Sequence, residues 1–530
     1  MRPARFQTIG TDKVSFVRLL ALSVVLSVTA VAIYVSNTYV NESPIAEKKT
    51  ASQLRSSNWM TTVSAEGKSD SGKQSPALSK LSLVSCAACH GAHSSLESSG
   101  AENDWQSAYQ IWARQDPHAN AYVSLWNKQS KKIVAALAKR SGGSPSAKRS
   151  ALTDHRVHQA IINEQCVSCH STVPVSMSSQ SEGGHDSRGG GLLLSGGVSC
   201  LSCHSREDLD EPTDQSWIVA HTLEEWSAKD AQQKLALGLQ DLSQQRVRAQ
   251  TCLKCHVGSP GREVNHDLIA AGHPRLVFEY SSHLSRLPAH WQEKADPEFN
   301  RNCWSVGQTE AAVSSLKQLS NRSRSAVRVG ESDDSQSTAH ASSSWPELSE
   351  YNCHNCHHDL QNNWYQENDN SVLGQTVWGT WAFPRHAEST QLEMDLTVVR
   401  KEMESPIPDA KKVLQVLQEI EPAVVSNFEL NLGTKHIYSY LRNEPRLNSD
   451  ELFAWYLAAD CVVRDFPLEQ QAKRNLAVAA LIDLKEVLDR PFQSSSSNQN
   501  LAPITATAIL EKVSRVRDLV LPVDQQKNIQ

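Results

Sequence analysis

Aromatic side chains make up only 6% of this 530-residue sequence, methionine occurs five times, and neither charge sign dominates. With 52 basic and 58 acidic residues the formal net charge is −6, and no basic domain stands out, so nucleic acid is not an expected partner. Long apolar runs are missing after residue 41, which excludes a polytopic membrane protein. No stretch of alternating β-branched residues is long enough to require a sheet. Nucleophile elbow, phosphate-binding loop and dinucleotide fingerprint are all absent, so the common hydrolase, NTPase and dehydrogenase classes drop out. What the chain does have is 12 Cys beside 20 His.

Ten of those Cys fall into five Cys-x-x-Cys-His strings: Cys86–His90, Cys166–His170, Cys200–His204, Cys252–His256 and Cys353–His357. At these frequencies chance supplies about 0.01 such strings, so the pattern is not accidental. Zinc ribbons pair their Cys-x-x-Cys units, whereas five units leave one over, and zinc has no need of His directly after each second Cys. Covalent haem attachment does need it. Two intervening residues let one helical turn present both thiols to the vinyl groups of a porphyrin, and the next imidazole reaches the iron. The expected cofactor is therefore five covalently bound haem c groups. Cys86, Cys89, Cys166, Cys169, Cys200, Cys203, Cys252, Cys255, Cys353 and Cys356 attach them, with His90, His170, His204, His256 and His357 as proximal iron ligands.

Met177 is the only methionine in the haem region, which points to bis-His or five-coordinate iron and comparatively low potentials. His266 and His273 are seven residues apart, two turns along one helical face, with Pro274 ending the helix at His273. At least one of them is expected to be a distal ligand, His273 in preference; the alternative is a role for both as propionate partners. His340 and His436 read as outside the ligand set. Trp105, Trp112, Trp126, Trp217, Trp226 and Trp291 lie near strings, and about half are expected to pack on porphyrin. Cys461 reads as a buried thiol, with a disulfide to Cys303 as the alternative.

The ends of the chain differ from its middle. Leu19 to Asn41 is uncharged and mostly apolar, behind Arg2, Arg5, Lys13 and Arg18. It reads as an uncleaved membrane anchor or as a signal peptide with an apolar region from Leu19 to Val28 and an Ala30-x-Ala32 site. Either one exports the chain to the periplasmic side. The expected organisation is an anchor or signal over 1–41, a tether over 42–80, a pentahaem domain over 81–365, a linker over 366–400 and a helical bundle over 401–530. Ser/Gly-rich stretches at 141–150, 176–191 and 329–344 read as loops. Helices are expected over 105–114, 118–139 and 307–321. In the bundle, Asp409 caps a helix with Val413, Leu414, Val416, Leu417 and Ile420 on one face. Ser449 caps another with Leu452, Phe453, Tyr456, Leu457 and Cys461 inward, and further helices cover 468–488 and 503–520. The fold class is mainly α with few or no strands.

The strings and their surroundings resemble the tetrahaem cytochrome c-554 family, whose haem packing is shared with hydroxylamine oxidoreductases and pentahaem nitrite reductases. They are more similar still to multihaem cytochrome c proteins of planctomycete-type bacteria. The blocks that carry this are Asp116-Pro117-His118-Ala119-Asn120-Ala121-Tyr122, the run from Val264 to Leu276, Leu287-Pro288-Ala289-His290-Trp291, and the run from Cys353 to Leu360. The resemblance covers about 81–365. It implies His118 and His221 as distal ligands, and it implies that the haem on His170 lacks a strong distal ligand, with only Met177 and His185 nearby in the following loop. Leu201 stands where the family has Glu, and Ser205 and Arg206 stand where it has Gly-Pro. The function this favours is electron transfer between membrane or periplasmic redox partner proteins. An enzyme acting on small nitrogen or sulfur compounds at an open haem is the first alternative, and a docking scaffold built on the C-terminal bundle is the second. No Cys-x-x-Cys-Lys occurs, although nitrite reductases usually carry Lys on the catalytic haem, and no catalytic residue is assigned.

Overall fold

A helix needs a cap to start, an apolar stripe to pack and a residue that stops it, and the segments around the strings supply these in short lengths. Asp116 caps the 3₁₀ turn Pro117–Asn120 by accepting from the His118 amide. Asp230 and Gln233 form a reciprocal capping box on Ala231–Ala236. Asn265 caps His266–Ala270. These observations come from a computed structural model. It describes residues 83–91, 104–140, 155–172, 197–206, 217–293, 295–331, 345–357, 376–379, 390–431, 435–445, 447, 449–489 and 505–522. The chain is mainly α. Among the described residues there is no sheet, only isolated bridges such as Ser205–Leu239 and Tyr351–Trp378. No described helix is long and apolar enough to cross a membrane. Residues 19–41, the tether at 42–80, the Ser/Gly-rich stretches at 141–150 and 176–191, and most of 329–344 lie outside the described residues, as do Met177, His185 and His340.

The longest element is Phe299–Glu331, 33 residues and about 50 Å at 1.5 Å per residue. It extends well past both ends of the expected 307–321. It is held by packing rather than by one amphipathic stripe. Cys303 and Ala311 join Ala249, Leu253, Val257, Phe278, Tyr280 and Leu284 in one cluster. Ala312, Val313, Leu316 and Leu319 join Tyr351, Trp378, Leu396, Val399, Met403, Val413, Leu417 and Ile420 in a second. Trp304 enters a third, made by helices Lys435–Arg442, Ser449–Arg464, Gln471–Asp489 and Ala506–Val520. The string-bearing region and the C-terminal helices therefore share a spine. Polar contacts reinforce it: Arg464 donates to the Ser281 carbonyl and to Asn300, and Asp465 accepts from the backbone amides of Asn300 and Arg301.

The C-terminal expectations hold in the main, although Ser449 is the first residue of its helix rather than the capping position before it and a further helix, Thr390–Met403, begins inside the expected linker. Asp409 accepts from the amides of Lys411 and Lys412 at the start of Ala410–Asn431. Val413, Leu417 and Ile420 are buried, and Val416 packs beside them. In Ser449–Arg464, Leu452, Leu457 and Cys461 are buried with Phe453 and Tyr456 packed against them, and the buried face widens to include Trp455. Cys303 and Cys461 are buried free thiols, not a disulfide. Cys303 faces the Gln245 side-chain oxygen and Cys461 accepts from Ser281.

One buried acid lies where these halves meet. Glu279 caps Tyr280–Arg286 by accepting from the amides of Ser281 and Ser282. Burial pushes its carboxyl up to about 7; the Ser282 amide and Arg464 pull down, and Asp460 adds to the rise. The folded chain keeps a proton here that the unfolded chain releases near 4.5. Stability from this site is thus full below about 4.5 and is lost as pH rises towards about 7, a loss of up to about 3 kcal/mol. Glu279→Gln is expected to flatten that part of the curve when Tm is followed between about pH 5 and pH 8. A slope as steep as the parent's would assign the proton elsewhere.

Candidate haem-binding sites

Each string forms or ends a helical turn, so its imidazole follows its thiols around one turn. The first closes Leu83–His90, the second lies across Val167–His170, the third forms Cys200–His204, the fourth closes Gln245–His256, and the fifth is Cys353–Cys356 with His357 directly after it. The fourth string lies on the large cluster around Leu253, Phe278 and Tyr280, whereas the core beside the second is small. It comprises Leu125, Val134, Ile162 and Val167, with Tyr122 and Trp126 at its edge. Half-buried Trp217 lies between His204 and His221, with its ring centre 6.4 and 5.4 Å from theirs, and donates to Ser205. Trp226 and Trp291 lie against His221 and His290. Trp112 is buried and bonds the Val198 carbonyl, and Trp126 packs on His158. The side chain of Trp105 lies outside the described residues.

Every string histidine has an imidazole from elsewhere in the chain at 6.2–6.5 Å. The ring centres are 6.4 Å apart for His90 and His221, 6.5 Å for His170 and His273, and 6.2 Å for each of His204 with His290, His256 with His118, and His357 with His266. No residue serves twice. Two imidazoles bound through Nε2 to opposite sides of one metal, at about 2.0–2.1 Å each and with about 1.2 Å from nitrogen to ring centre, stand about 6.4 Å apart. The five separations fit an iron held between each pair. The contact of His256 with His283, at 5.4 Å, is too short for that span.

Hydrogen bonds prepare the nitrogens. Nδ1 of His170 meets the Ala121 carbonyl at 3.1 Å, Nδ1 of His221 that of Trp217 at 3.1 Å, and Nδ1 of His273 that of Pro274 at 2.8 Å. A carbonyl only accepts, so Nδ1 carries the proton and Nε2 keeps its lone pair for a metal. His118 donates instead to the Asp116 carboxylate at 2.8 Å, which raises its pKa above the usual imidazole value. Burial lowers His204 and His256, each to about 4, and also lowers His170 and His290, favouring the neutral, ligating form. His158 points Nε2 at the Leu125 carbonyl and is a buried structural residue.

The segment from Asn265 to Pro274 departs from the expected two-turn helix. It is helical only over His266–Ala270. Gly272, at φ +109°, then reverses the chain, with its amide on the Ile269 carbonyl and that of His273 on the Leu268 carbonyl. The two imidazoles therefore do not share a face. His266 is delivered to His357 and His273 to His170, so the second-string site, open in the resemblance, has an imidazole beside its string histidine. His118 and His221 also stand opposite string histidines. His290 carries no ligand signal of its own in the sequence. Its only signal is its place after Pro288 and before Trp291 in a block without a string.

The sites adjoin in a different order from the sequence. Cys86 and Cys200 are side-chain neighbours, bringing strings one and three together, and His90 lies within electrostatic reach of His204 and His290. Cys203 is similarly near Cys255 and Cys252. Cys255 and Cys169 are likewise side-chain neighbours, bringing strings four and two together. His273 and His266 then link the second site to the fifth. Cys89 at one end and Cys356 and His357 at the other are exposed, whereas the thiols of strings two, three and four are partly covered. Compared with known proteins, the chain matches no family model, no curated protein and no solved structure.

Proposed function

We propose that this chain is an exported pentahaem c-type cytochrome of the multihaem cytochrome fold, carrying electrons between redox partner proteins on the periplasmic side. The single observation behind the proposal is the set of five separate imidazole pairs at 6.2–6.5 Å, each joining one string histidine to one distant histidine. Haem bound there would supply reversible one-electron chemistry at iron. The chain's part would be to hold each ring through the two Cys of a string and to present to its iron the string histidine and one distant histidine, leaving no room there for small molecules. It also keeps neighbouring sites in contact in the order one, three, four, two, five. The exposed thiols at the two ends of that order mark where partners would meet it. The apolar segment at 19–41 would direct export and, if retained, tether the chain to the membrane.

The test is a haem count on full-length chain matured in a host that assembles c-type cytochromes. A pyridine haemochrome assay with intact mass is expected to give five haems per chain, all low-spin in both oxidation states. Three or fewer in fully matured protein would refute the proposal.

A further inference from the structure

We propose that Asp116 is a positioning residue that makes His118 the most basic distal ligand of the set, and so gives the site on His256 the lowest potential of the five. This rests on the haem-binding reading above. Three other site imidazoles, those of His170, His221 and His273, bond neutral carbonyls through Nδ1. His118 bonds a carboxylate, at 2.8 Å. Asp116 is buried, at 7% exposure, and its Oδ1 is fixed a second time by the His118 amide, with Pro117 setting the turn. No Lys or Arg ion pair to Asp116 occurs among the described residues; its charge also reaches His290 and Cys203, but its hydrogen bond is to the His118 ring. A carboxylate sharing the Nδ1 proton increases electron donation from Nε2 and favours the oxidised metal.

The surroundings make this geometry rigid. The His118 carbonyl accepts from the Val198 amide at 3.0 Å, just before the third string, and Ala121 bonds His170. Gly197 allows the approach: at φ +65° its Cβ would strike the carbonyl oxygens of His118 and Ala119. Segment 116–121 is thus where the second, third and fourth sites meet, and a low potential at the fourth would sit in the middle of the order.

The experiment is Asp116→Asn, which keeps an N-cap oxygen and an acceptor for Nδ1 but removes the charge. Potentiometric titration of the matured holoprotein is expected to show the lowest of five midpoint potentials shifted upward and one low-spin EPR signal altered, with five haems still bound. In a His118→Met background, which lacks the Nδ1 proton, Asp116→Asn is expected to add no further shift. A titration that overlays the parent's would overturn the inference, as would an equal shift in the His118→Met background, which would assign the effect to charge acting through space. If His118→Met fails to mature, the single substitution still decides by its titration and EPR signal. A chain without haem would instead refute the underlying reading.

Discussion

Replacing Cys252 and Cys255 together by Ala is expected to leave almost no folded chain after export, whereas the same change at Cys86 and Cys89 leaves a stable protein one haem short. The fourth string ends a helix whose Ala249 and Leu253 are fully buried against Val257, Phe278, Tyr280 and Cys303. That cluster seats the long helix 299–331 and, through Ser281 and Asn300, the C-terminal bundle. Its string adjoins both the second and the third. A haem missing there would withdraw its apolar face from this cluster, and losing buried apolar contacts costs several kcal/mol, a large share of a typical stability of about 5–15 kcal/mol. The first string lies at the end of the order, with Cys89 exposed. Its loss removes packing from one side only. Intact mass and protease resistance of the two exported variants, compared with the parent, check this. Equal yields and equal resistance would mean that the protein core folds without the fourth haem.

The two halves of each proposed site differ in how legible they are. Attachment and proximal ligation are local: five residues in a fixed order make one helical turn, and their order alone names their roles. The distal partner is chosen by tertiary packing of distant segments, which no local pattern encodes. His290 shows this most plainly, since it stands opposite His204 without any periodic or spacing signal. His266 and His273 show a second limit. Their spacing suits one helical face only if the helix continues, and Gly272 with Pro274 stops it. The C-terminal helices were easier to read because Asp409 and the apolar stripe behind it act within one element. The long helix 299–331 is only partly legible, for the opposite reason. Its stability comes from three separate clusters along its length, so no single stripe marks it.

Reduced parent protein is expected to bind no carbon monoxide, and His273→Ala is expected to bind one per chain. The family resemblance leaves the iron on His170 open, but His273 stands 6.5 Å from His170, the span two axial imidazoles require. Its presentation is over-determined. Gly272 in the left-handed region turns the backbone, the His273 amide is held by the Leu268 carbonyl, and Nδ1 donates to Pro274. Asn265 fixes the other end of the same segment, and Gln129 reaches across to the Gly272 carbonyl. Truncation to Ala removes the imidazole and leaves that backbone unchanged, so the low-spin count should fall from five to four with haem content constant. His266→Ala is the matching control, opening the site on His357 instead. Carbon monoxide uptake by the parent at one per chain, unchanged in His273→Ala, would show that His273 is not a ligand. Uptake by the parent together with turnover of nitrite or hydroxylamine would replace the electron carrier by an enzyme. Neither outcome is compatible with five closed irons, because inner-sphere chemistry needs a position that a strong ligand does not already hold.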